Sequence, residues 1–320
     1  MKTLGENTNS RRECASRFGM INGFNENLMR IDDLTAADRY LDRITKLPPA
    51  PGVATELLGL FSDPNIDIDR VIDLIRRDPS LTANVIKMCN TAHFRGAEPS
   101  NDIFEAVTRL GFYDVYRVVA ALLGARAMAM WKTKGGLNIN DLWRHSVASA
   151  IAAGKLAKRT DESEAAAYTA GLLHDIGKLV FASVEGARYA DLAHEAKKTG
   201  TSLRDAERAA FGVDHALVGE QLLVRWGLPE SLTQSVGLHD EPPQIGQPFG
   251  RLTAIVQIAS DLAEQAGPGG PRAQVGPSLH PAAMELLGIT EEDMPALIAE
   301  IQAGLQQVAG ISTVNFDPLI

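Results

Sequence analysis

The stretch AAAYTAGLLHDIGKLVFASV, Ala165 to Val184, decides how this chain is read. Nearly every side chain in it is apolar or small, which predicts a helix from about Ser163 to Ser183 buried on most faces. Yet His174, Asp175 and Lys178 sit in its middle. An ionised carboxylate taken out of water without a partner is costly, so Asp175 must meet a cation, a set of donors or residual solvent. A metal ion answers that demand; a salt bridge from a lysine or arginine answers it equally. Adjacent helical residues point about 100° apart, so His174 can approach one ion while the carboxylate of Asp175 turns to span that ion and a second. Residues three apart on a helix also meet, which makes Lys178 a rival partner for Asp175.

Other potential ligands flank this stretch. Asp141 and His145 lie four apart in DLWRHSVASAIAAGKLA, on one helical face beside the small residues Ala148, Ser149 and Ala152. His215 opens the helix DHALVGEQLLVRWG, read from about Asp214 to Trp226, and His239-Asp240 closes ESLTQSVGLHD before Pro242-Pro243. Asp261 flanks the apolar stripe of Leu252, Ile255, Val256 and Ala259. Each has an ordinary explanation: a surface pair for Asp141 and His145, a half-exposed first turn for His215, the helix dipole for His239, a solvated face for Asp261. His93, His194 and His280 read as structural or solvated, and Met88, Met128 and Met130 as core filler.

Outward from these segments the chain is helical throughout. Apolar residues recur at three and four from Leu34 to about Trp131, and no run of alternating β-branched residues or fixed-period repeat is present. Asp63-Pro64 and Asp78-Pro79 mark helix ends. The expected organisation is all-α and two-lobed. A polar leader covers 1–33, a first helical bundle 34–131, a second lobe with the candidate ligands 132–265, and a joint plus terminal helices 266–320. With 320 residues, 45% hydrophobic and 22% charged, the composition is that of an ordinary globular protein. A net charge of −9 offers no general basic surface, which counts against nucleic acid as a partner. No apolar run approaches a membrane span and the first residues lack a signal-peptide core, so the expected location is the cytoplasm. Cys14 and Cys89 form no metal-type pair and read as free thiols.

The string AGLLHDIGKLV, with WRHS upstream and FGVDHALVGEQLLVRWGLP and GLHDEPP downstream, closely resembles the HDOD family, an output-domain branch of the HD metal-dependent phosphohydrolase superfamily. LPPAPGV (Leu47 to Val53), RDPSLTANVIKMCNTAHF (Arg77 to Phe94) and AVTRLGF (Ala106 to Phe112) are similar to that family's N-terminal pattern. Several blocks in order, over roughly Leu47 to Asp261, carry the resemblance. It implies an HD-type second lobe in which His145, His174, Asp175 and Asp261 hold a first ion. His215 and His239 match further histidines of the HD-GYP branch and would hold a second ion bridged by Asp175; Asp141 sits where some of that branch place a further carboxylate, and Asp240, a further candidate ligand, stands where both families often have a second histidine. Lys178 matches a lysine expected near a substrate phosphate. The implied cofactor is a divalent transition metal, two ions of Fe, Mn, Zn or Ni, which imidazole and carboxylate suit better than Ca or Mg. No Gly-Tyr-Pro follows the motif, so the loop associated with cyclic di-GMP hydrolysis is missing. The expectation is a bacterial-type signal-transduction protein, regulatory or scaffolding, whose partners are signalling proteins. The alternative is an active phosphohydrolase or phosphodiesterase acting on a phosphate-containing small molecule such as a nucleotide, with Asp175 and Lys178 as catalytic groups.

Overall fold

The computed structural model describes residues 31–44, 56, 68–91, 94, 98–131, 133, 137–241, 246–266 and 280–312. Most of the leader, the Leu47–Val53 block, Asp63-Pro64, His93, Cys14 and the Gly267–Pro277 joint lie outside these residues. Everything regular among them is helical, and no strand is present among them.

The first half comprises α1 (Ile31–Asp42), α2 (Ile68–Arg76), α3 (Pro79–Cys89), α4 (Ile103–Leu110) and α5 (Phe112–Ala129). Asp78 ends one helix and starts the next: its carboxylate accepts from the amides of Ser80 and Leu81, and Pro79 fills the first helical position, where a missing N–H costs nothing. Asp102 caps α4 in the same way. Gly111, at φ +80°, turns the chain from α4 straight into α5. Met88 and Met128 are buried as expected, whereas Met130 is exposed at the end of α5. Cys89 is buried and unbridged.

The second half runs through α6 (Ile139–Arg159), α7 (Glu164–Leu173), α8 (Ile176–Val184), α9 (Ala187–Thr199), α10 (Leu203–Phe211), α11 (His215–Arg225), α12 (Glu230–Gly237), α13 (Gly250–Ala266), α14 (Pro281–Leu287) and α15 (Met294–Ser312). Here α6 packs against both α7 and α13, α8 against α11, and α11 against α12. No helix among the described residues is long and apolar enough to cross a membrane.

Two features depart from the sequence reading. The helix expected from Ser163 to Ser183 is two helices, broken at His174-Asp175. And α1, grouped by sequence with the first bundle, packs on α11 and α8 of the second half. Arg225 reaches Asp38 at 2.6 Å and Asp42 at 2.9 Å, while the ring of Tyr40 stands edge-on to Phe181 at 4.9 Å. The two halves also share one continuous apolar cluster rather than two separate cores. Tyr116 of α5 hydrogen-bonds Thr169 of α7 across the seam.

Candidate metal centre

The break between α7 and α8 is what aims the two polar residues. His174 is the C-cap of α7, and Asp175, at φ −96° and ψ 10°, leaves helical geometry for one residue. The carbonyl of Gly171, freed at the helix end, accepts from His174 Nδ1 at 2.8 Å, so Nε2 turns its lone pair inward. Two glycines allow the neighbouring helices to close in. A Cβ on Gly171 would lie 2.7 Å from the Ser149 carbonyl oxygen of α6, and one on Gly177 would lie 1.9 Å from the His215 carbonyl oxygen of α11. These approaches bring His145 and His215 to either side of Asp175.

The carboxylate of Asp175 divides its oxygens between two sets. Oδ2 lies 3.6 Å from His145 Nε2 and 3.4 Å from His174 Nε2, themselves 3.2 Å apart. Oδ1 lies 3.3 Å from His215 Nε2 and 3.7 Å from His239 Nε2. Asp240, at the rim, places one oxygen 3.3 Å from His215 Nε2 and the other 3.6 Å from His239 Nε2. Ligand atoms around a tetrahedral ion with bonds of about 2.1 Å stand roughly 3.4 Å apart. Both sets fit that spacing, and each can supply one donor atom per residue.

Burial sets the charges. It pushes the imidazoles of His174 and His239 below their ordinary value despite the neighbouring carboxylates, so both are neutral and able to ligate. Burial alone would raise Asp175, yet the cationic Lys178 and His215 beside it hold it well below the usual carboxylate range. For His215 burial is overridden by Glu207 and Asp175, and its value rises to about 10 in the protein without an ion.

The structure therefore brings His145, His174, Asp175, His215, His239 and Asp240 together. Asp141 stands apart from them. Asp141 is partly exposed, receiving a hydrogen bond from Asn138 at 2.7 Å with Arg144 3.8 Å away. Asp261 is buried on α13, and its neighbour Ser260 presents Oγ 3.4 Å from both His145 Nε2 and His174 Nε2. Lys178 lies inside, its ammonium donating to Asp175 Oδ2 at 2.7 Å. Sequence reasoning missed Glu207, fully buried, whose Oε2 accepts from both Nδ1 (2.7 Å) and the backbone amide (2.8 Å) of His215. Its only sequence signal is a carboxylate inside an amphipathic helix.

The HDOD domain family model matches residues 47–242. Among solved structures, an HDOD domain protein of unknown function from Geobacter sulfurreducens is 25% identical with a TM-score of 0.67, covering 90% of this chain and 98% of that one. A putative signal transduction protein from Marinobacter aquaeolei shares the fold at 23% identity and a TM-score of 0.68, over 97% of this chain and 66% of that one. Among curated relatives, an uncharacterised protein of Treponema pallidum is 25% identical over 68% of this chain and 42% of its own length. A ribonuclease Y from Acholeplasma laidlawii is 28% identical over 52% of this chain and 24% of its own length. The chain thus spans less than half the length of these curated relatives. With the family pattern matched over most of its length and the helical fold shared with a solved member, the chain belongs to the HDOD domain family.

Proposed function

We propose that this chain is a regulatory HDOD signalling module of the cytoplasm that binds divalent transition metal in its second half, one ion at each oxygen of Asp175, and offers its helical surface to partner signalling proteins. The observation that carries the metal is the division of the Asp175 carboxylate between two converging imidazole pairs. A metal-free core with Asp175 satisfied by Lys178 alone would not need four histidines to gather around it. Burial favours regulation over turnover: His145, His174, Asp175, Lys178, His215 and His239 are each 2% exposed or less. A bound ion there would stabilise the native state in proportion to its free concentration.

A metal-dependent phosphohydrolase or phosphodiesterase is the second reading. Asp240 favours it, because its side chain, 11% exposed, gives the second set a face toward solvent; the likeness to a ribonuclease Y points the same way. Ions held by His145, His174, Asp175, His215 and His239 would supply Lewis acidity there. The chain's own part would be to hold Asp175 ionised through Lys178 and to orient the imidazoles.

Elemental analysis of protein purified without oxygen tests both. The regulatory reading expects up to two transition-metal ions per chain, lost in Asp175→Asn, with no turnover of cyclic dinucleotides, nucleotides or aryl phosphates. Wild-type protein that takes up no metal refutes the metal centre. Turnover abolished in a folded Asp175→Asn variant makes the chain an enzyme.

A further inference from the structure

We infer that Glu207 is the positioning residue of the second ligand set, holding the ring and tautomer of His215 so that Nε2 faces Asp175 and Asp240. The inference rests on the metal reading above and concerns a residue that touches no ion. His174, His239 and His215 need different supports because they occupy different helix positions. His174 and His239 follow helix ends, where carbonyls are free, and their Nδ1 atoms donate to Gly171 and Val236 at 2.8 and 2.7 Å. His215 is the first residue of α11, after the N-cap Asp214. A helix start exposes N–H groups and no carbonyls, so the backbone there has nothing to accept from Nδ1.

Glu207, eight residues earlier on α10, fills this gap. One oxygen accepts from both the ring and the amide of His215, and the other accepts from the Tyr189 hydroxyl of α9 at 2.7 Å. All three residues are buried, and the carboxylate has no solvent to turn toward. With Nδ1 occupied as a donor, Nε2 is the ring atom left for a ligand, 3.3 Å from Asp175 Oδ1 and 3.3 Å from Asp240 Oδ2. A carboxylate behind a ligating imidazole also raises its basicity, more than the backbone carbonyls behind the other two can.

The test uses the full chain and Glu207→Ala, Glu207→Gln and Tyr189→Phe, with two readouts. One is zinc and cobalt titration, resolving the two sites by stoichiometry and by the cobalt absorption bands. The other is the exchange-protected ring N–H proton of His215 in the proton NMR spectrum, assigned by its loss in His215→Asn. Glu207→Ala should lose that proton and about 10- to 100-fold in second-ion affinity, leaving the first ion unchanged. Glu207→Gln should keep the proton and lose only a few-fold, because the amide oxygen can still accept from His215 while the amide N–H donates to the tyrosine oxygen. Retention of the proton, or of wild-type second-ion affinity, in Glu207→Ala overturns the inference. If Glu207→Ala does not fold, Gln and Tyr189→Phe carry the test: a few-fold loss confined to the second ion supports it, and no change in both overturns it. Wild-type protein that binds no metal removes the metal reading, whereas the ring proton still decides whether Glu207 holds His215.

Discussion

Replacing Gly177 by alanine sets two physical effects against each other. Alanine is the better helix former by about 1 kcal/mol, and Gly177 lies inside α8 without a left-handed backbone, so propensity alone predicts a stabilised protein. Sterics predict the reverse. The added Cβ would sit 1.9 Å from the His215 carbonyl oxygen and 2.8 Å from the Gly219 amide nitrogen. Both are backbone atoms that no rotamer change can move. To reach even the 3.0 Å limit of real Cβ contacts, α11 must retreat from α8 by about 1.1 Å at that point. Overpacking of this kind costs about 1–3 kcal/mol where side chains can yield, and rigid helices put this site at the upper end or beyond. Net of propensity, we expect a loss of about 2 kcal/mol or more in urea unfolding of metal-free protein, and a Tm lower by at least about 4 °C. The same retreat carries His215 away from Asp175, so second-ion affinity should fall while His145 and His174, held by α6 and α7, keep the first. A Gly177→Ala protein as stable as wild type, with both ions bound as before, would show that the close approach of α8 and α11 is not what builds the centre.

Two further outcomes follow from the charges and from the docking of α1. Without metal, His215 titrates at about 10 rather than 6.5, so its contribution is fully present below about pH 6.5 and disappears as pH rises toward 10; urea midpoints of chelator-treated protein at those two pH values should therefore differ less in His215→Asn than in wild type, and equal differences count against the coupling to Glu207 and Asp175. Tyr40→Ala should cost about 3 kcal/mol and raise amide exchange throughout α1, since the ring is buried against Phe181 and Phe211; unchanged exchange would mean that Arg225 alone holds the helix.

What could be read from residues alone was whatever depends on local periodicity and composition. The 3.6-residue recurrence of apolar side chains pointed to an all-helical chain, Asp78-Pro79 placed a helix boundary, and an ionisable pair in an oily segment marked His174-Asp175 as the place where compensation was needed. His145, His215 and His239 could be nominated, but each alone had an innocent explanation. Their meaning lies in separations of a few ångströms between atoms on different helices, and no spacing in one helix reports that.

The same limit explains the misplacements. Periodicity cannot show that α7 stops for one residue at the motif, because the apolar pattern runs on unbroken through the bend. Nor can it show that Ser260 faces His145 and His174, or that α1 crosses to the second half, since its partners lie more than a hundred residues away. The chain by itself determined which residues had to be buried and which charge had to be neutralised. Only the packing of helices, through glycines that let backbones touch, decided which partners met that charge and that a distant carboxylate, Glu207, stands behind one of them.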